Sequence, residues 1–163
     1  MGDYAHRTLM ALLGSELLPA KIRMKMMRGL GFDISSEACI WAGALLRSKK
    51  VKIDAGVFIN VGFYHDGYDR LDIGENVRIG PFVRIITATH DIGPAEQRGL
   101  IEVVGKPVMI ERGSWIGSGV TILPGVTIGH GCVIAASSVV IDSTMPNGLY
   151  AGTPARLVRE LEP

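Results

Sequence analysis

His90 is the residue in this chain best placed to do chemistry. It follows Thr89 where a long regular pattern stops and a polar stretch with glycines and prolines begins. A histidine changes charge nearer neutrality than other side chains, so at an exposed junction it can take a proton from a hydroxyl as that oxygen attacks an electrophile. A lone histidine is more often structural, so this reading needs support from its surroundings. At the far end, Arg156 and Arg159 lie three apart in ARLVRE. On a short helix, the expected form of that segment, both guanidinium groups would project from one side and suit a polyanion, although surface arginines are also common. No G-x-G-x-x-G and no phosphate-loop pattern occurs, which leaves nucleotide redox and kinase chemistry without support.

The scaffold that must position these groups is a repeat. Ile110, Ile116, Ile122, Ile128, Ile134 and Val140 recur every sixth residue, and six is three strand periods but no multiple of 3.6. The fifth position of each hexad is small or β-branched: Ser114, Val120, Val126, Cys132, Ser138 and Thr144. Gly117, Gly125, Gly129 and Gly131 fall between, where corners with positive φ are expected. Weaker hexads start at Ile34 and Ile40, continue at Ile53 and Ile59, and resume at Ile73, Ile79 and Ile85. At three hexads per triangular coil, an all-β solenoid of about four to five coils is expected, its stability coming from aliphatic layers stacked on one another.

Three segments depart from the repeat. Residues 1–33 form an N-terminal helical segment, with helix over 3–31 broken near Gly14 and Pro19. In its second piece Ile22, Met26 and Leu30 share one face and Lys21, Lys25 and Arg28 another, which suits a cap on the open solenoid or a weak contact with an anionic membrane surface. The solenoid spans 34–154 and is interrupted by an inserted loop at 90–107, long enough to be functional. Residues 155–163 form the C-terminal helix and tail.

Composition narrows the partners. The 163 residues carry 17 basic and 16 acidic side chains, a net charge of +1 that leaves no footprint for nucleic acid. Aliphatic and small residues carry the core, since 47% of the chain is hydrophobic and only 6% aromatic. Two cysteines make no disulfide scaffold, and Cys132 reads as a small buried hydrophobe. No apolar run reaches the roughly 20 residues of a membrane span, and Leu9 to Leu13 is too short for a signal segment. A cytoplasmic location is expected.

The segments IGENVRIGPFVRI and WIGSGVTILPGVTIGHGCVIAASSVV, followed by AGTPARLVREL, resemble the hexapeptide-repeat acyltransferases, above all the galactoside and maltose O-acetyltransferases and the sugar O-acetyltransferases of surface-polysaccharide pathways. The likeness covers about residues 34 to 161, with repeat, interrupting loop, Trp-Ile-Gly and Pro-Ala-Arg in the family's order. It implies a left-handed parallel β-helix, a homotrimer with sites between subunits, and acetyl-CoA as donor without a metal. His90 matches the family's catalytic histidine and Asn60 its acceptor-side asparagine, an amide able to donate to and accept from a sugar hydroxyl. Asn60 in a corner ladder is the plainer alternative. The family's sugar-gripping acidic residue falls at Tyr68, which makes the neighbouring Asp66 the candidate acceptor contact. On the donor side the resemblance assigns the oxyanion N–H to Ser118, the pantetheine arm to Trp115 and Ala136, and the CoA phosphates to Arg156 and Arg159. Asp142 stands where relatives often carry lysine, which should weaken CoA binding unless the two arginines suffice.

The expected activity is acetyl transfer to a hydroxyl of a carbohydrate acceptor, in a direct ternary complex with His90 as base. Transfer to an amino sugar and a non-enzymatic trimeric scaffold are the alternatives. Zinc hydratases on the same solenoid need three histidines, but His90 and His130 are far apart and Ala135 stands where a third ligand is expected.

Overall fold

Each hexad makes one short strand and one corner, and three hexads close a coil. In the computed structural model, which describes residues 3–163, two helices, α1 (Asp3–Leu13) and α2 (Ala20–Gly29), precede the coils. The first coil is β1 (Asp33–Ile34), β2 (Cys39–Ile40) and β3 (Leu45–Leu46), and the second is β4 (Val51–Ile53), β5 (Phe58–Ile59) and β6 (Tyr64–His65). The third is β7 (Leu71–Ile73), β8 (Arg78–Ile79) and β9 (Arg84–Ile85). A hairpin of β10 (Ala88–Ile92) and β11 (Gly99–Gly105) then leaves the solenoid. The fourth coil is β12 (Val108–Ile110), β13 (Trp115–Ile116) and β14 (Thr121–Ile122), and the fifth is β15 (Thr127–Ile128), β16 (Val133–Ile134) and β17 (Val139–Val140). The chain ends in β18 (Gly148–Gly152) and β19 (Ala155–Glu160).

The coils stack into three parallel sheets, ordered β1-β4-β7-β12-β15, β2-β5-β8-β13-β16-β18-β19 and β3-β6-β9-β14-β17. Among the described residues only β10–β11 and β18–β19 pair antiparallel. The hexad aliphatics form inward columns: Ile34, Ile53, Ile73, Ile110 and Ile128 in the first sheet, and Ile40, Ile59, Ile79, Ile116 and Ile134 in the second. The third column is Leu46, His65, Ile85, Ile122 and Val140. All of these side chains are buried, and burying an isoleucine stabilises by about 1.5–3 kcal/mol. Five coils are complete and a sixth is begun by β18, the upper end of the expected number, with Leu46 and His65 filling the two hexads between Ile40 and Ile73 that carry no isoleucine.

Two kinds of glycine shape the corners. Gly125 and Gly131 take positive φ, as expected. Gly117 and Gly129 do not; they are glycine because the next coil passes too close. A Cβ on Gly117 would lie 2.6 Å from the Ala136 nitrogen, and one on Gly129 2.8 Å from that of Pro146.

The helices cover the open first coil. Met10 and Leu13 of α1, with Met24 and Met27 of α2, join the core. The buried face of α2 differs from the expected one: Ile22 and Met26 are exposed, and Arg23 points inward at 2% exposure. Its Nε donates to the Leu13 carbonyl at 2.6 Å, and its two terminal nitrogens donate to the carbonyls of Ile40 (3.1 Å), Ser15 (2.8 Å) and Leu18 (2.8 Å). The end of α1, the link and the first coil thus converge on one guanidinium.

The C-terminal helix expected over 155–162 is corrected to a strand. Ala155–Glu160 pairs antiparallel with β18, because hydrogen bonds to an otherwise open sheet edge outweigh the helix propensity of ARLVRE. Among the described residues no helix is long and apolar enough to cross a membrane.

Candidate active site

His90 sits on the exposed β-hairpin of β10 and β11, which is the form the inserted segment takes. It lies opposite Val103, and a bulge follows between His90 and Ile92. Nδ1 of His90 is 3.1 Å from the Glu102 carbonyl. A carbonyl only accepts, so Nδ1 carries the hydrogen and the lone pair of the neutral ring resides on Nε2. The fold therefore presents a proton acceptor outward.

The root of the hairpin is fixed by Asp66. Its carboxylate accepts from the Thr87 hydroxyl, the Thr87 N–H at 2.8 Å, the Ala88 N–H at 3.0 Å and the Tyr68 N–H at 3.3 Å. Burial alone would raise this carboxyl's pKa, but these bonds outweigh it and hold the group below the ordinary aspartate value. Both oxygens are thereby engaged with the hairpin root.

Beneath this turn the buried His65 donates through Nε2 to the Asp69 carbonyl at 3.2 Å, and its Nδ1 has no partner among the described residues. Burial pushes its pKa below the ordinary 6.5, against the opposing pull of Asp66 and the bond to Asp69. The unfolded chain therefore binds this proton first, and stability declines as pH falls from about 6.5 toward the lowered folded value.

A groove of about 490 Å³ runs along the edge between the second and third sheets and gathers Asn60, Trp115, Ser118 and Ala136, with Pro81 and Leu149. Trp115 stands on β13 between Arg78 and Val133 of the adjoining strands and is 59% exposed. Ser118 and Ala136 occupy the same corner one coil apart, and among the described residues neither N–H donates to a main-chain carbonyl. Gly80 and Gly117 keep these amides clear, since a Cβ on Gly80 would lie 2.8 Å from the Ser118 nitrogen. Asn60 is not one of the left-handed asparagines, which are Asn76 and Asn147. Its Oδ1 accepts from the Val61 N–H at 2.8 Å, so the donors on Nδ2 are not used in that bond.

Arg156 and Arg159 reach one side of the terminal ribbon by a different route from the helix expected for them. Residues three apart on a regular strand face opposite ways, but a bulge in β19 sets Arg156 against Ala151 and Arg159 against Leu149, which share a face. Leu149 lines the groove. Arg156 also lies 3.3 Å from Asp142, so the acidic residue partly neutralises its neighbour. This exposed pair is weak and leaves the guanidinium able to exchange partners.

The structure thus brings Asn60, Trp115, Ser118 and Ala136 together and leaves His90 elsewhere. The hairpin springs from the edge between the third sheet and the first, after β9 and before β12, whereas the groove follows the edge between the second and third. His130 lies apart from both, at the corner after β15, with its Nδ1 3.5 Å from Glu111. A larger charged groove over the first sheet ties its charges into pairs such as Lys52–Asp54 at 3.0 Å and Arg70–Asp72 at 2.7 Å. Sequence reasoning missed Thr87 and Pro81. The Gly80-Pro81 step, which departs from the glycine spacing of later hexads, was the signal for the second.

Residues 107–142 match the family described as bacterial transferase hexapeptide (six repeats). A hexapeptide-repeat-containing acetyltransferase of Vibrio cholerae superposes with a TM-score of 0.86 at 33% identity, over 99% of this chain and 93% of that one. The chain belongs to the hexapeptide-repeat acetyltransferases. The Vibrio protein has also been solved with acetyl coenzyme A, again at a TM-score of 0.86 and 33% identity, over 98% of this chain and 89% of that one. A maltose O-acetyltransferase of Clostridium difficile gives 0.72 at 28% identity, over 99% of this chain and 87% of its own. The galactoside O-acetyltransferase of Lactococcus lactis is 36% identical over 114 residues, 69% of this chain and 54% of the relative. The chain spans about half the length of the curated relatives it matches.

Proposed function

We propose that the protein transfers an acetyl group from acetyl-CoA to a hydroxyl of a carbohydrate acceptor, and that each site is shared between two protomers of a homotrimer. The observation that carries this reading is the outward Nε2 of His90 on a hairpin remote from its own chain's donor groove. The hairpin also exposes Ile92 and Ile101, at 83% and 86%, apolar groups suited to a neighbouring subunit. A heterologous contact of this kind, closed by threefold rotation, makes three equivalent junctions.

In the junction, His90 removes the acceptor's hydroxyl proton as the oxygen forms a bond to the thioester carbonyl carbon. The C–S bond then breaks, and the departing thiolate takes the proton from the imidazolium. The Ser118 N–H faces the developing oxyanion, the kind of donor worth roughly 3–4 kcal/mol in a transition state. Asn60 donates to the acceptor, the Ala136 N–H meets the pantetheine arm beside Trp115, and Arg156 and Arg159 meet the phosphates. Asp66 holds the hairpin root, so the acceptor is gripped without that carboxylate. The free thiols of Cys39 and Cys132 suit a reducing cytoplasm. Exposed Ile22 and Met26 beside Lys21 and Lys25 suit weak contact with a membrane surface.

The test is thiol release from acetyl-CoA against a panel of neutral sugars and amino sugars. The reading expects release with hydroxyl acceptors, N-acetylated product only would replace it with amine transfer, and neither binding nor cleavage of acetyl-CoA would make the chain a scaffold.

A further inference from the structure

We propose that Tyr68 is a positioning residue that holds His90 in place by clamping the opposite strand of its hairpin. The inference rests on the reading of His90 as the base. The Tyr68 hydroxyl donates to the Val103 carbonyl at 2.9 Å, and Val103 is the cross-strand partner of His90. The preceding carbonyl, that of Glu102, is the one that orients the imidazole. The tyrosine ring lies along the same strand. A Cβ on Gly105 would come within 3.0 Å of its Cδ1 and Cε1, so the glycine allows the ring to lie against the main chain.

Tyr68 is itself anchored to the solenoid. Its carbonyl accepts from Lys50 Nζ at 2.7 Å and its N–H donates to Asp66 at 3.3 Å. The second coil therefore grips the hairpin twice. Asp66 holds the root of β10 at Thr87 and Ala88, and Tyr68 holds β11 at the level of the histidine. With only the root fixed, a ribbon pivots, and a base misplaced by about 1 Å loses much of its effect. The position that resemblance assigns to a sugar-gripping carboxylate is occupied here by a side chain that points its polar atom at the protein's own backbone.

The experiment compares Tyr68→Phe, His90→Ala and the double variant, all as the full chain. Tyr68→Phe should lower kcat about five- to tenfold, as for loss of one hydrogen bond, with the acetyl-CoA KM and Tm essentially unchanged. In the His90→Ala background the same change should have no further effect, because Tyr68 acts through the histidine. Amide exchange across residues 89–104 should speed up in Tyr68→Phe while that of the coils stays constant. Unchanged kcat with unchanged exchange would overturn the proposal. So would a raised acceptor KM at normal kcat, which would make Tyr68 a direct acceptor contact, or an equal loss in the His90→Ala background. Failure of the base assignment is distinguishable, since His90→Ala alone would then stay active.

Discussion

Replacing His90 by alanine should lower turnover by at least about a hundredfold while acetyl-CoA binds almost as tightly as before, since a general base contributes roughly 10² to 10⁴ in rate. The asymmetry follows from the geometry. The imidazole sits on a hairpin at one edge of the prism, and the groove of Trp115, Ser118 and Ala136 lies along another, so its loss leaves that groove intact. The hydrogen bond from Nδ1 to Glu102 assigns the basic nitrogen, so the effect should fall on kcat and kcat/KM together, the mark of an interaction made only in the transition state. Steady-state kinetics with isothermal titration of acetyl-CoA measures both quantities. Turnover within tenfold of wild type would remove the base assignment.

Arg23→Met should cost about 3–5 kcal/mol of folding stability, the largest loss expected from a single change outside the isoleucine columns. Methionine fills much of the same space but donates nothing, so the carbonyls of Leu13, Ser15, Leu18 and Ile40 lose the shared, charge-assisted partner that the buried guanidinium provides. The helices and the first coil should loosen together, because one side chain links them. Arg23→Lys should fall between, since one ammonium cannot reach all four oxygens in the fork geometry of a guanidinium. Urea unfolding followed by circular dichroism provides the comparison, and a loss under 1 kcal/mol for Arg23→Met would show that the cap is held by its apolar contacts alone.

The solenoid was legible because its signal is redundant. Ile110 to Val140 repeat one register six times, and each strand obeys the same in-out alternation. Single-residue signals failed where a tertiary contact decided the outcome. ARLVRE favours helix locally but meets an unpaired sheet edge in β18, and Arg23, between Lys21 and Lys25 in sequence, carries no sign of burial until the carbonyls it satisfies are assembled around it. His65 occupies an isoleucine position in the third column, which no periodicity scan rewards. GLIEVVG does carry the β-branched residues of a strand, yet its partner ATHDI is too short and polar to announce a hairpin. Family likeness pointed to Asn60, Trp115, Ser118 and Ala136, and coil geometry explains why they meet: they lie along one edge of the solenoid, Asn60 in the second coil, Trp115 and Ser118 in the fourth and Ala136 in the fifth. That His90 stands on a different edge was invisible, because it depends on where in the triangle the insertion leaves the coil.

The central claim is that a site joins His90 of one protomer to the groove of the next, and complementation between two inactive chains tests it most directly. His90→Ala lacks the base and Ala136→Trp fills the exposed donor groove, so each alone should be inactive. If the chains are coexpressed in equal amounts, about three quarters of random trimers are mixed and each mixed ring holds one competent junction, so about a quarter of wild-type activity should return. Mixed oligomers verified by mass that show no recovered activity would contradict the shared site.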